Sequence, residues 1–245
     1  MKKKKTVSIR NITALMLIVL LLICTACAKK QDEIKTPDTI QLDFTTQEFS
    51  NIPLSLLNDN KIESIVNSTK IDDMVTFGEY IPKEFNEENP EGYTYSYIEI
   101  SGIRYALSRS LGEAGYDLTK TRLDETDAVY IINEIRGASY GVTIFVMIKE
   151  KMPYIISEID GFAQISDIDG DGKKEVVSAA NTVPNTSIYF FDSDKQTVSS
   201  VNINEQSSAK YSSYDVTTNT FSLGFGPNQN PVTYDYKMNE LLRAE

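Results

Sequence analysis

The chain has 245 residues, with 24 Lys and Arg against 35 Asp and Glu, a formal charge of −11, two cysteines, and neither histidine nor tryptophan. The lack of histidine excludes Ser-His-Asp and Cys-His mechanisms, histidine-ligated zinc or iron, and a histidine general base. The acidity argues against nucleic acid as a partner, because neutralising phosphates needs clustered Lys and Arg. It suits an exported protein with affinity for divalent cations.

Four lysines at 2–5 and Arg10 precede an apolar run over 14–23. That run is far shorter than the ~20 residues of a spanning helix, and the stretch reads as a targeting segment. It ends in Cys24-Thr25-Ala26-Cys27. This resembles the lipobox of bacterial lipoproteins at Thr25, Ala26 and Cys27, with Cys24 standing where that family carries Leu, Val or Ile. The resemblance implies a signal peptide over 1–26, diacylation of Cys27 (palmitate-type chains), and anchoring at the extracytoplasmic face of the bacterial membrane. Two acyl chains give stable attachment where one is marginal. An ordinary secretory peptide or an uncleaved anchor is the alternative. Removing residues 1–26 takes five basic residues and no acidic one, leaving 219 residues with 19 basic against 35 acidic, or −16. That length suffices for one large or two small domains with a core. Cys24 goes with the signal peptide and Cys27 is the acylated N-terminus, so the folded part has no disulfide and no thiol chemistry.

Residues 27–43, polar at Lys29, Lys30, Asp32, Glu33 and Asp38, read as a flexible tether. Residues 44–118 read as a mixed α/β region. Leu54, Leu56, Leu57, Ile62, Ile65 and Val66 suggest a short helix or two, broken at Asn58-Asp59-Asn60. A strand fits 74–81 and an acidic loop 84–92. Ile103, Leu107 and Leu111, at i, i+4 and i+8 with Gly115 beyond, predict a helix over 103–114. Over 119–245 the pattern changes to short strands at 128–135, 142–148, 154–159, 162–168, 176–180, 188–191, 198–203, 220–225 and 232–236. The expected class is α+β, mainly β in the C-terminal half, with a small helical N-terminal part.

One loop in the β region carries recognisable chemistry: Asp167-Ile168-Asp169-Gly170-Asp171-Gly172-Lys173-Lys174-Glu175. A hard cation such as Ca²⁺ takes six to eight oxygens at ~2.3–2.6 Å, and carboxylates at loop positions 1, 3 and 5 can wrap one. Gly172 at position 6 permits the sharp turn, Lys173 offers its carbonyl, and Glu175 at position 9 closes the shell directly or through water. Ca²⁺ fits better than Mg²⁺, which demands stricter octahedral geometry. An EF-hand would carry flanking helices and a glutamate at position 12; here that position is Ser178 and both flanks read as strands. A solvent-facing Asp/Gly turn without metal is the alternative, although four carboxylates in nine residues repel one another unless a cation neutralises them.

An offset of 44 lays Glu175-Val176-Val177 on Asn219-Thr220-Phe221, Ile188 on Val232 and Phe190 on Tyr234, and a looser match lays Asp127-Ala128-Val129 on the first of these. Three related units would then start near Lys120, Phe162 and Tyr211, only the middle one keeping its carboxylates. The stretch ISDIDGDGKKEVV followed by SIYFFDSD resembles the FG-GAP/VCBS repeat of integrin-type β-propellers and bacterial surface proteins. The resemblance implies side-chain ligands at Asp167, Asp169, Asp171 and Glu175, a carbonyl from Lys173, and a partial β-propeller-like array or open antiparallel units. The functional expectation is a lipid-anchored, calcium-stabilised structural or binding module at the cell surface, with a protein or polysaccharide ligand and no catalytic residues. The alternative is an envelope glycan hydrolase using a carboxylate pair, for which Glu99, Glu113, Glu134 and Glu158 are available without a spacing that singles out two.

Overall fold

Strand alternation runs almost the whole length of the folded chain, and it builds the same unit four times. A computed structural model describes residues 36–85, 92–110, 117–122, 128–137, 140–180, 184–227 and 229–244. Three short strands come first: β1 (Thr39–Gln41), β2 (Thr45–Glu48) and β3 (Ile52–Pro53). The first sheet follows as β4 (Ile62–Lys70), β5 (Val75–Pro82), β6 (Thr94–Ile100) and β7 (Ile103–Ser110). The second is β8 (Asp117–Arg122), β9 (Ala128–Gly137), β10 (Tyr140–Lys149) and β11 (Met152–Asp160). The third is β12 (Phe162–Ser166), β13 (Glu175–Ala180), β14 (Asn185–Asp192) and β15 (Thr197–Asn202). A five-residue helix, α1 (Ile203–Ser207), leads to the fourth: β16 (Tyr211–Asp215), β17 (Thr220–Gly224), β18 (Val232–Lys237) and β19 (Glu240–Arg243). In every sheet the four strands lie side by side in chain order, all antiparallel.

The three leading strands do not form a sheet of their own. β1 pairs with β19, β2 with β15 and β3 with β11, and Leu56 bridges to Tyr105 of β7. The N-terminal segment is therefore a strap along the last strand of all four sheets, taken in reverse order. It covers edges that would otherwise expose unpaired backbone groups. At each crossing it also leaves an apolar side chain in a core. Ile40 and Leu42 join Val177, Ile188, Phe221 and Leu223 between the third and fourth sheets. Phe49 joins Val129, Phe145, Val176 and Val198 between the second and third. Leu54 joins Phe77, Ile98, Ile132 and Ile144 between the first and second. Leu57 packs with Tyr80, Tyr95 and Tyr97 on the outer face of the first. Each such side chain contributes about 1.5–3 kcal/mol on burial.

The expected helical N-terminal part is not present among the described residues: the fold is mostly antiparallel β. Residues 103–110 are strand β7. Apolar residues at i, i+4 and i+8 satisfy a two-residue repeat as well as a helical one. The residue at i+2, Tyr105, is apolar too and buried, as a strand requires. The rest of the proposed helix, with Leu111, lies outside the described residues. Leu54 to Val66 contribute strap, strand β4 and a single 3-10 turn at Asp59–Lys61, which Arg104 of β7 holds through Asp59 at 2.7 Å while also binding Glu99 at 2.9 Å. The tether reading also ends early, since Ile40 and Leu42 are core residues.

Candidate metal centre

The acidic loop is the turn between β12 and β13, the first two strands of the third sheet. Two observations show why it folds there. Gly170 and Gly172 take φ of +76° and +89°, a region that only glycine enters without strain. The Asp167 carboxylate then accepts the amides of both glycines, from Gly170 at 2.7 Å and Gly172 at 3.0 Å. Asp169 accepts the Asp171 amide at 3.1 Å, and Asp171 accepts that of Lys173 at 2.7 Å. The alternating aspartates thus wind the loop around their own oxygens.

Ile168 points the other way. It is buried among the side chains between the third and fourth sheets, and its amide donates to Glu175 Oε2 at 2.9 Å. This pins the first strand end to the second. The fourth sheet supplies a brace: Asn219 Nδ2 donates to the carbonyls of Asp167 and Ile168, each at 3.3 Å, while its Oδ1 accepts Tyr214 Oη at 2.6 Å. Asn219 sits in the β16–β17 turn with φ +57°, the same place in the fourth sheet that the acidic loop has in the third. The 44-residue offset indeed lays β13 on β17 and β14 on β18. What the repeat makes of its equivalent turn here is a clamp on its neighbour's loop.

Of the sequence-predicted ligands, the structure brings together Asp167, Asp169 and Glu175, whose carboxylate oxygens lie within 4.8 Å of one another. Asp171 stands outside that group. Lys173 is exposed at position 7 of the loop. Glu175 is 2 % exposed, and burial, reinforced by the negative charges of Asp169, Asp171 and Asp167, pushes its carboxyl up to about 7. Burial also pushes the neighbouring Tyr236 phenol up to about 12, aided by Asp169, Glu175 and Asp171. Three converging carboxylates with no Lys or Arg bonded to them among the described residues suit a hard cation that accepts oxygen ligands. The brace residues Asn219 and Tyr214 escaped sequence reasoning; the repeat alignment placed Asn219 opposite Glu175 but gave no sign of contact.

Of the carboxylates considered for hydrolysis, Glu134 and Glu158 flank β10 in adjacent rows of one face of the second sheet. Glu99 is bonded to Arg104, Glu134 is buried and accepts Ser96 Oγ at 2.9 Å, Glu158 is exposed on β11, and Glu113 lies outside the described residues. Cys27 and the expected signal segment 1–26 also lie outside them. Among the described residues no helix is long and apolar enough to cross a membrane. No protein-family model, no curated protein and no solved structure matches the chain.

Proposed function

We propose that the protein is a lipid-anchored, calcium-stabilised binding module at the extracytoplasmic face of a bacterial membrane. The observation that carries the metal reading is the convergence of Asp167, Asp169 and Glu175 at the joint of two sheets, where Glu175 is buried with no cationic side chain bonded to it among the described residues. A Ca²⁺ ion there takes those three oxygens, with Asp171, the Lys173 carbonyl and water available to complete the shell. Its role is structural: it ties β12 to β13 and, through Asn219, the third sheet to the fourth. The four-stranded meanders stacked face to face favour reading them as blade-like FG-GAP/VCBS-type units of an incomplete propeller. The anchor rests on the lipobox-like residues ending at Cys27. The binding role rests on the exclusion of histidine and thiol chemistry.

Thermal melting in EDTA and in about 10 mM Ca²⁺, roughly 10 to 100 times a dissociation constant of about 10⁻⁴–10⁻³ M, tests the metal. A ligand at 10 to 100 times its dissociation constant adds roughly 1.4–2.7 kcal/mol, which in a domain of this size raises Tm by roughly 3–10 °C. Asp169→Ala should remove the shift. An unchanged melting temperature in the wild type would sink the calcium reading.

A further inference from the structure

A cleft opens on the third sheet where its packing against the second gives out. Residues in register across antiparallel strands share a face. On the face turned to the second sheet, one end is apolar: Phe191 beside Val198, both packed with Phe49 and Phe145. The next cross-strand row is Val176, Tyr189, Ser200 and Thr45, and the one after it Ser178, Ser187 and Asn202. The same face that forms a core at one end is thus a plane of hydroxyls and amides around one tyrosine at the other. Continuing the apolar pattern would have closed the two sheets together.

The resulting cavity is about 350 Å³ and is bounded on the far side by Glu158, Ile159 and Asp160 at the end of β11. A second cavity of about 200 Å³ adjoins it and shares Ser187, Tyr189, Ser200 and Asn202. The larger one falls at the lower end of the ~300–1,000 Å³ typical of small-molecule sites. Its lining also includes Asn185, whose Oδ1 is buried without a hydrogen-bond partner. An unpaired buried acceptor is unfavourable, and rotation of that amide toward the cleft would let a ligand donor relieve it.

Among the described residues lining both cavities there is no lysine or arginine, so nothing there compensates a phosphate, sulfate or carboxylate ligand. What the lining offers is hydroxyls and amides that both donate and accept, the carboxylates of Asp43, Glu158, Asp160 and Glu205 that accept, and an aromatic ring. That combination matches a sugar, whose hydroxyls need both kinds of partner and whose C–H face packs on an aromatic plane. The geometry points to this cleft as a binding site for a neutral saccharide, of a size to take one or two rings of a longer glycan. It rests on the reading of the protein as a binding module and deepens it by naming the ligand class; it does not depend on the metal.

The test is saturation-transfer NMR of the purified protein with maltotetraose, cellotetraose, chitotetraose and mannotetraose, each in Ca²⁺ and in EDTA, with spermidine as a cationic control. At least one tetrasaccharide should bind saturably, and Tyr189→Ala should weaken it about tenfold. Ser200→Glu, a substitution at a half-buried site, should weaken the same sugar while leaving the melting temperature near that of the wild type, so that a folding defect in the tyrosine variant does not decide the matter. The inference fails if no tetrasaccharide binds, if only spermidine binds, or if neither variant alters the affinity. A Ca²⁺ shift in Tm without sugar binding would overturn the cleft alone; sugar binding without that shift would overturn the metal alone.

Discussion

Glu175 offers the most quantitative handle on the loop. Its carboxyl is buried, and burial followed by the neighbouring aspartates raises it from 4.5 to about 7 in the metal-free fold. The corresponding free energy is about 3 kcal/mol. The sign follows from proton linkage. The folded state holds this proton more tightly than the unfolded chain, so the contribution is fully present below about pH 4.5 and is lost as pH rises through about 7. In EDTA, urea melts should show the wild type losing about 2.5 kcal/mol between about pH 5 and pH 8 relative to Glu175→Gln. The amide keeps an oxygen for the Ile168 N–H and carries no proton to lose, so the variant serves as the flat reference. The lowered Asp215 carboxyl, held by the backbone amide of Thr217, titrates below this window and does not interfere. Saturating Ca²⁺ favours the ionised carboxylate and should abolish the difference between the two pH values in the wild type. If wild type and Glu175→Gln lose equal stability across the window in EDTA, the buried, charge-strained carboxylate is wrong.

Other consequences concern the strap, the brace and the anchor. Phe49→Ala removes a 5 % exposed ring from the core between the second and third sheets and should cost about 3–5 kcal/mol by urea melts. Arg104→Met should cost about 1–3 kcal/mol, because Asp59 is mostly in solvent and contributes little while the partly buried Glu99 loses its charged partner. Asn219→Ala should weaken Ca²⁺ binding without removing any ligand, read by terbium luminescence excited through the tyrosines, which are the natural donors in a chain without tryptophan. Cys27→Ser should lose palmitate labelling in cells and leave the membrane fraction.

The parts of this fold that were legible in sequence are those where a strand is buried. Residues 128–132 and 144–148 are continuous apolar runs because β9 and β10 sit in the middle of the second sheet, covered on both faces. The strap was invisible for the opposite reason. β2 is Thr-Thr-Gln-Glu with every side chain exposed, and β4 is exposed along nearly its whole length; edge strands take their stability from backbone pairing, which leaves no hydrophobic period to read. The loop was legible because its carboxylates are local, spaced by chain geometry alone. Its brace was not, since Asn219 meets Asp167 across 52 residues, and the polar cleft was hidden because scattered serines acquire meaning only when strand register aligns them.

The central claim is that the third sheet carries one calcium site, and equilibrium dialysis with radioactive calcium reads it directly. The account predicts one ion per chain with a dissociation constant of about 10⁻⁴–10⁻³ M, abolished by Asp169→Ala. An absence of saturable binding up to about 10 mM, well above that range, would contradict it.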